Sequence, residues 1–150
     1  MIRIYTLLDL EAESRDQALR LMSKVLEDSG AVKPGHAQAV TTREDTYPTG
    51  LPTAGIQVAI PHAGAEWTNF SALLFCRLKT PVSFVSMADD EENLDVKLVF
   101  MLALKKSSEH SDILGRLMEI FRQPRLLQTL CSAENTEELQ NILALDREKG

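Results

Sequence analysis

The chain is poor in the residue types that build metal centres and disulfide frameworks. Its 150 residues include two cysteines and three histidines, and no pair among them has metal-ligand spacing. Cys76 lies in an apolar strand-like run and Cys131 in a short helix-like run, so both read as buried, reduced thiols of a cytoplasmic protein. Long apolar runs are missing as well. Ser71–Cys76 and Leu98–Leu104 fall far short of the ~20 residues that cross a bilayer. Met1–Asp9 has neither the sustained apolar stretch nor the small-residue cleavage site of a signal peptide. Basic charge is scarce: the formal net charge of −6 argues against nucleic acid as a partner, since phosphate backbones need concentrated Lys and Arg. A site for an anionic group must overcome that field locally, which draws attention to each arginine near a candidate site. There is no G-x-S-x-G turn for a nucleophilic serine. No repeat, linker or low-complexity segment divides the chain, so residues 1–150 are expected to form one domain.

What remains is a balanced composition, 44% hydrophobic and 25% charged, in a chain long enough to bury a core. Ile2–Leu7 reads as a strand. Ser14-Arg15-Asp16-Gln17 is a capping box that opens a helix with Ala18, Leu19, Met22, Val25 and Leu26 at helical spacing, ended by Gly30. A shorter helix is expected over His36–Glu44. Thr46–Gly55 holds two prolines and two glycines in ten residues and reads as a loop without regular structure. It leads into Ile56–Ile60, a short apolar strand. Further strands are expected at Ser71–Leu78, Val82–Ser86 and Val96–Leu104, the last apolar almost throughout, as a strand covered on both faces would be. Asp89-Asp90-Glu91-Glu92 reads as a solvated turn. Helices follow at Ser108–Arg122, at Pro124–Cys131, opened by proline, and at Thr136–Leu145, with a frayed end at Gly150. This order implies a buried sheet with helices on both faces.

His62 is the residue that most needs an explanation. The strand before it ends at Pro61, which has no amide hydrogen, and Ala63 and Gly64 after it leave room for an incoming group. A histidine there could cap a strand, act as a base, ligate a metal or serve as a nucleophile. The nucleophile reading needs arginine, hydroxyls and amides suited to a phosphoryl group, and Arg43, Thr46, Thr49 and Thr53 would supply them if the long loop folds over the ring. His110 stands in the first turn of the helix after the VKLVFMLAL strand, on the face of Ile113 and Leu114. If that strand runs parallel beside Ile56–Ile60, the two histidines emerge at the same edge of the sheet; otherwise His110 fills a polar gap at a helix start. His36, after Pro34-Gly35, reads as a surface residue.

Gly55-Ile56-Gln57-Val58-Ala59-Ile60-Pro61-His62-Ala63 resembles the phosphorylation motif of the enzyme IIA components of the fructose–mannitol class of the bacterial sugar phosphotransferase system. The resemblance extends from about Leu7 to about Leu143. Arg43-Glu44 and Glu109-His110 fall where that family has its arginine and second histidine, and Arg43–Leu51 with Ala88-Asp89-Asp90 resembles the galactitol branch. Ala54 departs from the larger apolar residue usual in the family, and His110 is typical of its fructose and mannitol members.

The resemblance implies an α/β fold, a three-layer α/β/α domain with a small mixed β-sheet flanked by helices. It implies a cytoplasmic phosphotransferase that takes a phosphoryl group from phospho-HPr on Nε2 of His62 and passes it to a cysteine of the IIB component. The IIC membrane permease then takes up galactitol or a related polyol. Arg43 and His110 would stabilise charge on the transferred group, and no metal or cofactor is required. Tyr47, Leu51 and Trp67 are expected at an apolar rim for partners, although Trp67 could equally pack against the domain. A regulatory, nitrogen-type IIA-like module acting by protein binding is the alternative. A metal-dependent hydrolase built from His62, His110 and the acids of Asp89–Glu92 is a third reading.

Overall fold

The computed structural model describes residues 2–143. Five strands, β1 (Arg3–Leu10), β2 (Gly50–Leu51), β3 (Gln57–Ala59), β4 (Ala72–Val85) and β5 (Asn93–Ala103), form one sheet in the order β1-β4-β5-β3-β2. The sheet is mixed: β1 runs parallel to β4, β4 antiparallel to β5, β5 parallel to β3, and β3 antiparallel to β2. Five helices accompany it, α1 (Arg15–Asp28), α2 (His36–Thr46), α3 (Ser107–Phe121), α4 (Pro124–Ser132) and α5 (Thr136–Leu143). The expected continuation to Leu145 and the frayed end lie outside the described residues.

Side chains alternate across a strand, so one continuous apolar run can supply two cores. On β4 and β5, Leu74, Cys76, Val99 and Met101 join Leu19, Met22 and Leu26 of α1 and Val40 of α2. Leu73, Phe75, Leu98, Phe100 and Leu102 point the other way, to Ile113, Leu117, Leu127, Leu130 and Leu139 of α3, α4 and α5. The architecture is the expected three-layer α/β/α sandwich. No described helix is long and apolar enough to cross a membrane.

The structure corrects several local expectations. Ser71–Leu78 and Val82–Ser86 belong to one extended strand, β4, because Thr80-Pro81 interrupts the ladder to β5 without turning the chain; pairing shifts register between Arg77 and Val82. Thr46–Gly55 is not wholly irregular: Gly50 and Leu51 pair with Ala59 and Val58. Gly50 also bridges to Ser86 just after β4, and glycine allows that approach, since a Cβ at position 50 would lie 2.6 Å from the Val85 carbonyl oxygen. The acidic run Asp89–Glu92 is an exposed turn, as expected. Cys76 is buried and its thiol pushed up to about 12, whereas Cys131 is only half-buried; both are free.

His36 is not on the surface. It is 1% exposed, and its Nδ1 lies 2.7 Å from Ser23 Oγ of α1. The turn at Gly35, with φ +100°, directs the ring inward against α1. Arg77, in the middle of β4, is 4% exposed. Its guanidinium makes a forked contact with Asp9, at 3.1 and 3.3 Å, and donates to the carbonyls of Leu130 (3.2 Å) and Ala133 (2.6 Å). Asp9 has a φ of 59° at a register break in β1, and the hydrogen bond from Arg77 holds its carboxyl below the usual range.

Two outcomes follow. Arg77→Met leaves the Leu130 and Ala133 carbonyls without donors and is expected to cost about 2–3 kcal/mol in urea unfolding; an unchanged midpoint would contradict this. Burial lowers the His36 pKa from 6.5 to about 4. The unfolded chain therefore binds a proton that the folded one refuses between those values, and stability falls as pH drops through that window by about 3 kcal/mol. His36→Gln should flatten this part of the stability–pH curve, measured by denaturant midpoints from pH 7 to 4.

Candidate functional site

The line of β3 continues past its last paired residue. Pro61 has no amide to donate, but its carbonyl accepts from Leu102 N at 3.0 Å, and His62 bridges to Leu102 in parallel. Because β3 and β5 run the same way, the chain leaves both at one end of the sheet. β5 turns at Leu104–Lys106 into α3, and the first turn of that helix carries His110. The rings of His62 and His110 meet edge to face, with centroids 5.5 Å apart and planes at 71°.

Both histidines are half-buried and line a cleft of about 520 Å³ with Arg43, Ala63, Gly64, Lys105 and Ser107. Nδ1 of His62 lies 3.2 Å from the Ile60 carbonyl oxygen. A carbonyl can only accept, so Nδ1 carries the proton and Nε2 keeps a free lone pair. Burial pushes the His62 pKa below its ordinary 6.5, and the charges of Arg43 and His110 push the same way against the opposing bond to Ile60. The ring is thus neutral at pH 7, with one nitrogen available as a nucleophile.

Arg43 is exposed on the last turn of α2, its guanidinium 5.1 Å from the centre of the Tyr47 ring. Next to it, Glu44 is buried and accepts from Thr49 N at 2.7 Å and Thr49 Oγ1 at 2.9 Å. Burial raises the Glu44 pKa against those hydrogen bonds. This clamp turns the chain out of α2 and holds Arg43 at the mouth of the cleft.

Three expectations about the loop fail. Thr49 is committed to Glu44, and Thr53 Oγ1 donates to the Ile56 carbonyl at 2.5 Å. Neither lines the cleft, and Thr46 lies in a neighbouring depression; the loop does not close over His62. That depression, about 650 Å³, shares Arg43, Ala63 and Gly64 with the cleft and is lined by Tyr47 and Trp67. The Trp67 ring covers Gly35 so closely that a Cβ there would lie 2.6 Å from it. Trp67 therefore both packs against the domain and faces the depression. Leu51 belongs elsewhere, with Pro52, Met118 and Phe121. Lys105, Lys106, Ser107 and Ser111 line the cleft and were not read from the sequence, although a Lys-Lys-Ser turn between strand and helix was a visible signal.

The metal-hydrolase reading does not survive. Asp89–Glu92 precede β5, whereas His62 bridges to Leu102 near its far end and His110 follows that end, roughly 30 Å along an extended strand at ~3.3 Å per residue. Among the described residues no group of three or more His, Cys, Asp or Glu could hold a metal ion.

Residues 3–145 match the family described as phosphoenolpyruvate-dependent sugar phosphotransferase system, EIIA 2. The chain belongs to this enzyme IIA family. It is similar to the galactitol-specific EIIA component of Escherichia coli K12, 28% identical over 123 residues that cover 82% of this chain and 81% of that protein. Among solved structures it resembles the nitrogen regulatory protein IIA-Ntr of Neisseria meningitidis, at 26% identity and a TM-score of 0.72, covering 93% of this chain and 92% of that one. A complex of the mannitol enzyme IIA with phosphorylated enzyme IIB from E. coli shares the fold, at 24% identity and a TM-score of 0.75 over 93% of each chain.

In this enzyme IIA domain the His62 imidazole should titrate below 6.5, staying neutral as pH falls past the point where an exposed histidine would protonate. Arg43→Ala removes a repelling cation and should raise that midpoint. NMR of the ring nitrogens against pH measures both, and a wild-type midpoint at or above 6.5 would contradict the reading.

Proposed function

We propose that the protein is a cytoplasmic phosphocarrier in which His62 accepts a phosphoryl group from the phosphohistidine of HPr and passes it to a cysteine of a IIB component. The observation that carries this reading is the bond from Nδ1 to the Ile60 carbonyl, which leaves Nε2 unprotonated in an open cleft. In the first transfer the Nε2 lone pair forms the new N–P bond as the donor's N–P bond breaks, and the proton stays on Nδ1, donated to the Ile60 carbonyl. In the second, a cysteine thiolate takes the phosphorus and the imidazole leaves neutral. Neither step needs a metal or cofactor. Arg43 and His110 stabilise charge on the group in flight.

The groove lined by Tyr47 and Trp67 beside the cleft suits partner proteins that dock briefly. The similarity to a galactitol-specific component supports galactitol or a related polyol as the sugar, taken up by a IIC permease with which this chain communicates through IIB. On this reading residues 1–150 act as a single IIA domain. The similarity to a nitrogen regulatory IIA supports the second reading, in which the same phosphohistidine controls binding to a regulated protein.

With phosphoenolpyruvate, enzyme I and HPr, the protein should acquire acid-labile phosphate, and His62→Ala none. Arg43→Ala and His110→Ala are each expected to slow uptake about 100-fold. Equal labelling of His62→Ala would sink the proposal. Onward transfer to a galactitol-type IIB separates the transport reading from the regulatory one.

A further inference from the structure

The wall of the cleft that carries His110 is secured by a side-chain network that the transfer itself does not use. Ser71, immediately before β4, is 6% exposed. Its hydroxyl donates to Glu109 Oε1 at 2.5 Å and accepts from Lys105 N at 2.8 Å. The same Glu109 oxygen accepts from Lys106 N at 3.2 Å. One buried hydroxyl and one carboxylate thus tie the start of β4 to the β5–α3 turn and to the first turn of α3.

This tie matters because α3 begins poorly on its own. Its N-cap is Lys106, whose side chain makes no capping bond, so the opening amides lack the oxygen that a Ser, Thr, Asp or Asn would offer. Glu109 reaching back to Lys106 N takes up one of them, and Ser71 holds Glu109 in that pose. Lys105 Nζ adds a bond to the Thr68 carbonyl at 3.0 Å. The segment so held contains Lys105, Lys106, Ser107, His110 and Ser111, the cleft wall that faces His62. A free Glu109 carboxylate beside His110 would also oppose an incoming phosphoryl group; the network ties it to Ser71 instead.

We propose that Ser71 and Glu109 are positioning residues that hold the first turn of α3 so that the His110 ring faces His62 across the cleft. This rests on the phosphocarrier reading for its effect on rate, but not for its effect on geometry. Loss of either residue lets the turn fray and His110 move off His62, and misplacement of a charge-stabilising group is felt directly in rate.

The test compares Ser71→Ala, Glu109→Ala and Glu109→Gln in the full-length chain. The glutamine amide oxygen can still accept from Ser71 and Lys106, so Glu109→Gln keeps the geometry without the charge. Two readouts are taken: the rate of phosphate uptake from phospho-HPr, and the NMR cross-relaxation between the His62 and His110 rings, with thermal unfolding as the check on folding. Ser71→Ala and Glu109→Ala are expected to slow uptake about 10-fold and to weaken the ring-to-ring signal, while Glu109→Gln keeps both near wild type. Wild-type rates and ring signals in the two alanine variants, or a Glu109→Gln protein as impaired as Glu109→Ala, would overturn the proposal. If the wild-type protein takes up no phosphate, the phosphocarrier reading fails, and the ring-to-ring signal alone decides positioning.

Discussion

Hydrogen bonding of β3 alongside β5 in parallel sends two separate stretches of chain out of the sheet at the same end. One delivers Pro61-His62, and the other delivers the Lys105–Ser107 turn and α3 with His110. The pairing reaches as far as Leu102 N bonding to the Pro61 carbonyl. Register in a sheet changes in whole residues, and a slip of one would turn every side chain to the opposite face. The 5.5 Å approach of the two rings is therefore as well specified as the core beneath it, where Val58 and Leu98 are fully buried.

The protonation of the His62 ring adds a second layer. Burial alone would keep the imidazole neutral, but would not choose which nitrogen holds the proton. The Ile60 carbonyl makes that choice, and it is available because Ile60 stands just beyond the last paired residue of β3. The strand end that exposes the ring thus also fixes its tautomer. Arg43 arrives from the other face of the sheet, on α2, held at the mouth of the cleft by the burial of its neighbour Glu44 against Thr49. Arg43 from one layer and Lys105 and Lys106 from the β5–α3 turn gather positive charge at the cleft of a chain whose net charge is −6.

Much of this frame was legible in the residues. The helices and the buried strand VKLVFMLAL follow from periodicity and caps, because such signals act over a few residues, whereas pairing to β5 runs on through the Pro61 carbonyl and His62. The strand spanning Pro81 and the pairing of Gly50-Leu51 were not legible, because both depend on a neighbour supplied from elsewhere in the chain. Ser23, His36, Glu44 and Arg77 were hidden for the same reason. A polar residue is tolerated inside only where a partner waits, and Arg77 finds its partners in Asp9, Leu130 and Ala133.

The sequence by itself determined that a histidine would stand at a strand end, with small residues after it and an arginine some way before it. It also determined that the VKLVFMLAL strand would be buried on both faces, since a nearly unbroken apolar run is a local property. The tertiary structure alone decided which residues keep His62 company. It brought in His110, Lys105 and Ser107, left out Thr49, Thr53 and Leu51, and anchored the facing wall through Ser71 and Glu109. The physical reason is that chemistry at the cleft depends on distances between side chains far apart in sequence. Those distances are set by strand order and register, which no single segment of the chain encodes.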